Sequence, residues 1–164
     1  MRESRHAEFE RFFRLTKDQV FRVLLVVTRD REVAADAAAE AYARAFALWD
    51  TVERHPTPAA WIALTALNHV RSDRRKAARM SSEDVPDVPV SDDPPTDPEL
   101  VRRLLGLPER QREVVALRVV LGLDTRQTAE LLGVAEGTVT SHLFRGLTRL
   151  QEELSEIAPK EAWL

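Results

Sequence analysis

Apolar residues recur along this chain at helical rather than strand spacing, and they divide it into segments. Phe9, Phe12, Phe13, Leu15, Val20, Leu24 and Val27 form a broad stripe that predicts a helix from about Ser4 to Thr28. Arg29-Asp30-Arg31 interrupts it. An alanine-dense segment from about Glu32 to Trp49 predicts a second helix, whose small side chains permit close packing. Asp50 to Pro58 reads as a loop. Thr57-Pro58 has the form of an N-cap followed by proline at the first helical position, so a third helix starts at Pro58 and runs to about Arg79. Farther on, Leu107-Pro108-Glu109 opens a helix to about Val120. Gly122-Leu123-Asp124 is a turn with Asp124 as the N-cap of a short helix ending at Leu132. Gly133 stands where a left-handed C-cap is wanted. The last helix covers about Glu136 to Ile157. The fold class is all-α, with two small helical domains.

Composition sharpens the division. All five glycines follow residue 105, and five of the nine prolines lie between Pro86 and Pro98. Residues 81–99 hold seven acids and no base, whereas residues 1–80 carry a surplus of four cations and residues 100–164 are balanced. Proline and like-charge repulsion both oppose helix, so 81–98 reads as an acidic, extended linker between domains at 1–80 and 99–164. The overall charge of −3 therefore hides a first domain that is basic. The chain has no cysteine, which excludes disulfides, thiol chemistry and cysteine-held zinc. The four histidines (6, 55, 69, 142) show no metal-ligand spacing, and no phosphate loop or serine elbow occurs. No catalytic residue, metal site or cofactor is expected. No apolar run is long enough to cross a bilayer, and the charged N-terminus does not suit a signal peptide. A cytoplasmic protein without membrane insertion is the expectation.

Asp124 to Leu150 has the layout of a helix-turn-helix. Ala129 is small where its helices would cross, and Leu132, Val134, Val139, Leu143 and Leu147 are candidates for its interior. The opposite face of the second helix carries Thr138, Thr140, Ser141, Phe144, Arg145 and Thr148. Hydroxyls, a guanidinium and an aromatic ring can meet phosphates, base edges and thymine methyls in a major groove. Arg126 and Arg149 are candidate phosphate contacts. In the third helix, Trp61, Leu64, Asn68, Arg71 and Arg75 form a stripe that begins apolar and ends basic. Arg71, Arg74, Arg75, Lys76 and Arg79 face only one acid, Asp73, and such density suits nucleic-acid backbone.

These segments carry a family resemblance. LPERQREVVALRVVLGLDTRQTAELLGVAEGTVTSHLFRGLTRLQEEL resembles region 4 of bacterial sigma factors of the extracytoplasmic-function (ECF) group. ADAAAEAYARAFALWDTV and TPAAWIALTALNHVRSDRRKAAR resemble region 2 of the same group. The resemblance implies a promoter-specificity subunit of RNA polymerase. Region 2 of the family binds the clamp of core polymerase and captures the −10 element, and region 4 binds the −35 duplex and sits on the flap. The linker would pass through core polymerase, and an anti-sigma factor becomes a partner to expect.

Carried over by position, Thr140, Ser141, Phe144 and Arg145 would read the −35 element, joined by Thr138, Arg126 and Arg149. Asn68, Arg71, Arg74, Arg75 and Lys76 would serve the −10 element. Asp36, Glu40, Arg44 and Trp49 would meet core polymerase. The loop Thr51 to Thr57 lies where the family captures a flipped base, with Val52, Glu53, Arg54 and His55 as candidates. Thr140 and His142 stand where the family usually has cations, Gln127 where it has Glu, and Thr128 where it has Ile. Two other readings use the same residues: a dimeric LuxR-type helix-turn-helix regulator, and a sigma-like interaction adaptor without promoter reading.

Overall fold

A computed structural model describes residues 2–80 and 98–157. All regular secondary structure among the described residues is helical, and these residues fall into two compact units, one on each side of residue 97.

The first unit packs three long helices: α1 (Arg2–Thr28), α2 (Arg31–Ala47) and α4 (Pro58–Met80). The second half of α1 is buried on nearly all sides, through Val20, Val23, Leu24, Leu25 and Val26. Ala34, Ala37, Ala41 and Ala45 form the inward stripe of α2, at spacings of three and four. Their small side chains let α2 pack against both α1 and α4, which contributes Ile62, Ala63, Ala66, Leu67 and Val70. Leu15, expected in the stripe of α1, is instead 73% exposed, whereas Phe9 and Phe12 of the same half pack against Tyr42 and Trp49.

The turn between α1 and α2 is tight. Arg29 adopts a left-handed φ of 57°, and the carboxylate of Asp30 caps α2 by accepting from the Val33 amide at 3.1 Å. After α2 the chain does not enter a loop at once: Trp49–Val52 forms a helical turn, α3. Trp49 initiates it because its indole is drawn into an aromatic cluster, 5.2 Å from Phe9 and 5.0 Å from Phe12 between ring centres. Helix α4 begins at Pro58 as expected, but the Thr57 hydroxyl makes no capping bond and finds no partner among the described residues. The Thr57 amide instead donates to His55 Nδ1 at 3.1 Å.

The second unit opens with α5 (Pro98–Leu105), a helix absent from the sequence reading. Pro98 takes the first helical position, where a missing amide costs nothing, so the acidic segment ends one residue earlier than expected. The remainder of that segment lies outside the described residues. Helix α6 (Glu109–Val115) continues into a π-helical turn, Ala116–Val120, closed by the Leu121 amide on the Ala116 carbonyl at 3.1 Å. The Arg118 guanidinium braces this wide turn by donating to the Leu123 carbonyl.

Helix α7 (Thr125–Leu132) has a reciprocal cap: the Gln127 amide donates to Asp124 Oδ1 at 2.7 Å, and Gln127 Oε1 accepts from the Asp124 amide at 3.0 Å. The two departures in this helix are thereby accommodated. Gln127 completes the cap, and Thr128, fully buried, satisfies its hydroxyl by donating to the Asp124 carbonyl at 2.8 Å. Gly133 ends α7 with φ of 66°, a conformation that penalises any side chain. Helix α8 (Glu136–Ile157) then packs across α6 and α7.

Candidate nucleic-acid and polymerase interfaces

The orientation of α8 is set by its inward face. Val139 is fully buried, Leu143 and Leu150 are half-buried, and Gly146 lies against α6. The approach at Gly146 is close enough that a Cβ there would meet Val115 Cγ2 at 2.7 Å. Leu147, expected inside, is instead 42% exposed, because Gly146 rather than Leu147 occupies the helix crossing. Val134 is half-buried.

With that face inward, Thr140, Ser141, Phe144 and Arg145 are all exposed, and Thr138 and Thr148 are half-buried beside them. Phe144 is 71% exposed, so an aromatic ring stands in solvent on the helix-turn-helix. The Thr140 hydroxyl donates back to the Glu136 carbonyl at 3.2 Å. His142 turns inward, and its Nδ1 has no hydrogen-bond partner among the described residues. Phe144, Arg145, Thr148 and Arg149 border an open groove of about 450 Å³ that continues along Glu152, Glu153 and Glu156. Arg126 and Arg149 are exposed but paired: Arg126 Nε lies 3.1 Å from Glu130, and Arg149 Nε 3.9 Å from Glu153. Arg145 has no ion pair among the described residues.

On α4, Asn68, Arg75, Lys76 and Arg79 are exposed and Arg71 is half-buried. Arg74 is anchored, donating to the Thr28 carbonyl at the end of α1 at 3.3 Å. Asp73, the acid in this stretch, lies 3.2 Å from His69 Nε2. Trp61 is half-buried beside a core made of Ile62, Ala63 and Ala66. In the preceding loop, Glu53 and Arg54 are exposed. Val52 is fully buried and cannot line a base pocket.

Asp36, Glu40 and Arg44 lie at four-residue spacing on one exposed face of α2, with no ion pair among the described residues. Trp49 does not join them. It is 5% exposed, its ring packs on Phe9 and Phe12, and its indole N–H points into the unit without an acceptor. Its assignment as a polymerase contact is corrected to a core role.

The structure adds a feature that the sequence reading missed. Phe13 and Phe46 are about 40% exposed and border an open, mostly apolar groove of about 390 Å³ with His6, Phe9, Glu10, Tyr42 and Ala43. The Tyr42 hydroxyl bonds the Thr16 hydroxyl at 2.8 Å, and burial pushes its pKa up to about 12. The available signal was an aromatic surplus: four aromatic side chains at 9, 12, 42 and 46 already fill the α1–α2 contact before Phe13 and Trp49 are placed. No group of three or more His, Asp or Glu among the described residues could hold a metal ion, and no described helix is long and apolar enough to cross a membrane.

Residues 98–150 match the family described as Sigma-70, region 4. Over 155 residues the chain is 34% identical to the RNA polymerase sigma-E factor of Streptomyces coelicolor, covering 90% of this chain and 86% of that protein. The chain belongs to the extracytoplasmic-function group of RNA polymerase sigma factors. It is also 30% identical to the ECF RNA polymerase sigma factor SigM of Mycobacterium tuberculosis, over 87% of this chain and 74% of that protein. Its fold is similar to that of the sigma factor RpoE solved with the anti-sigma factor NepR from Bartonella quintana, with TM-score 0.63 at 23% identity over 93% of this chain and 99% of that one. CnrH, solved with the cytosolic domain of CnrY, gives TM-score 0.55 at 18% identity over 93% and 91%. The relatives span both units, which a dimeric regulator sharing only the helix-turn-helix would not do. A sigma factor directs promoter-specific initiation of transcription, and that reading replaces both the regulator and the adaptor.

Proposed function

We propose that this sigma factor divides its work among three surfaces. The face of α2 bearing Asp36, Glu40 and Arg44, together with the neighbouring aromatic groove at Phe13 and Phe46, docks on core RNA polymerase. The basic end of α4, with Asn68, Arg71, Arg75 and Lys76, follows the melted −10 strand, and Arg74 positions that end by its bond to the Thr28 carbonyl. The outward face of α8, with Thr138, Thr140, Ser141, Phe144 and Arg145, reads the −35 duplex. Arg126 and Arg149 lie beside it as phosphate contacts. The observation that carries the reading is the turned-out face of α8: Val139 and Gly146 pack inward, and the groups able to meet DNA are left in solvent. The protein acts in the cytoplasm. Because both structural neighbours were solved with anti-sigma partners, such a factor is a partner of this chain as well.

Reconstitution with core polymerase tests this. Run-off transcription from candidate promoters should depend on the protein. Arg145→Ala should abolish the transcript while leaving holoenzyme formation intact. Asp36→Ala with Glu40→Ala should weaken holoenzyme formation itself. Absence of any promoter-dependent transcript from a formed holoenzyme would overturn the proposal.

A further inference from the structure

The described part of the second unit is a poor electrostatic match for DNA. Residues 98–157 hold eight arginines and no lysine against nine acids. Two positions of α8 where the family usually has cations are Thr140 and the inward-turned His142. Of the three arginines around the outward face, only Arg145 lacks an ion pair among the described residues. Arg126 and Arg149 are each held by a glutamate four residues later, Glu130 at 3.1 Å and Glu153 at 3.9 Å. Glu153 also lies 3.8 Å from Arg103. Both the Arg126 and Arg149 pairs are solvent-exposed, so they add little to stability. Their consequence is for binding. An arginine whose charge is partly offset by a glutamate one helical turn away releases fewer counterions when it meets a phosphate. Phosphate contacts carry no sequence information, so weakening them favours discrimination over affinity.

We infer that Glu130 and Glu153 are specificity-determining residues that hold down the sequence-independent part of −35 binding by competing with phosphate for Arg126 and Arg149. This rests on the reading of the α7–α8 outward face as the duplex interface. Reading at this element then depends on Arg145, the hydroxyls and Phe144, and the bulk of non-specific attraction falls to the basic end of α4.

The test uses holoenzyme reconstituted with the full chain. Equilibrium binding is measured by fluorescence anisotropy between 50 and 200 mM salt, on a promoter duplex and on one with a scrambled −35 element. Glu130→Gln and Glu153→Gln should each steepen the slope of log K against log salt by up to about 0.9, the increment for one additional phosphate. Each should also lower the ratio of promoter to scrambled binding. Glu3→Gln, which changes net charge equally on exposed α1, should change neither. Adding Arg149→Ala to Glu153→Gln should cancel the gain. Unchanged slopes in both glutamine variants, with promoter binding still lost in Arg145→Ala, overturn this inference and leave the interface standing. A slope change shared by Glu3→Gln, or one that survives Arg149→Ala, also overturns it. If Arg145→Ala binds normally, the interface reading falls and the inference falls with it.

Discussion

The crossing of α6 and α8 at Gly146 offers a demanding check on how the recognition helix is held. Replacing Gly146 by Ala adds one methyl, which would sit 2.7 Å from Val115 Cγ2 and 3.5 Å from Gln111 Cβ. Two effects oppose each other. Alanine is a better helix former than glycine by about 1 kcal/mol. Overpacking a buried contact costs about 1–3 kcal/mol, and Val115 is 2% exposed and β-branched, so it cannot swing aside. The balance is a net loss of about 1 kcal/mol in the second unit. Val115→Ala alone removes buried methyl groups and should cost about 2 kcal/mol. In that background the methyl at 146 keeps only ordinary van der Waals contact with Gln111, the clash term disappears, and Gly146→Ala should become stabilising by up to about 1 kcal/mol. The sign of the substitution reverses, and the coupling in the double-mutant cycle is about 2 kcal/mol. Hydrogen exchange of α6 and α8 amides in the full chain gives the opening free energy of this unit in all four proteins. If Gly146→Ala costs the same with Val115 present or truncated, the close crossing is not what requires glycine, and the argument for how α8 is oriented fails.

The remaining predictions follow from single contacts. Burial raises the pKa of Glu113, so the folded state takes up a proton more readily than the unfolded one, and its contribution to stability is present below about pH 4.5 and lost as pH rises through the folded value. The urea midpoint of Glu113→Gln, compared with the parent, should therefore shift increasingly in favour of Gln as pH rises from 4 toward neutrality. Asp124→Ala removes the side-chain half of the reciprocal cap, leaving the Asp124 amide still able to donate to Gln127, and should destabilise α7 by about 1 kcal/mol, read as faster exchange of its first-turn amides. Arg74→Ala and Arg75→Ala should separate: the first lowers the thermal stability of the first unit by loosening α4 from the Thr28 carbonyl, and the second leaves stability unchanged and weakens binding to single-stranded −10 DNA.

What could be read from the sequence, and what could not, follows from the range of the interactions involved. Asp124, Gly133 and Pro58 placed helix ends correctly because their signals act within a turn of the chain. The inward stripe of α2 was legible because alanines at three- and four-residue spacing leave few alternatives. Trp49, Leu147 and Phe13 were misplaced or overlooked for a different reason. Helical spacing puts an apolar residue on a face, but only the neighbouring helix decides whether that face is covered. The cluster of Phe9 and Phe12 drew Trp49 inward, and Phe13 and Phe46, packed on Tyr42 and Phe9, were left at its open edge. At α8, Gly146 took the crossing point and rolled Leu147 outward. Helix α5 was hidden because Pro98 counts toward a proline-rich segment when read by composition, yet serves as a first helical residue when read by position.

The distribution of charge connects these points to function. A total of −3 looks unsuited to a DNA-binding protein, and partition by segment moves the acid into residues 81–99. The structure carries the partition down to single side chains. The exposed end of α4 concentrates its cations against Asp73 alone, whereas two of the three arginines near the outward face of α8 lie beside glutamates of their own helices. Under the proposed division of surfaces, the excess of cations falls on the helix assigned to melted strand, whose backbone offers no groove to read. On the face of α8 proposed to meet duplex, Arg126 and Arg149 each have a glutamate partner, and shape, hydroxyls and Arg145 are left to discriminate. A promoter-specific factor needs both properties, and the proposed reading assigns them to different helices.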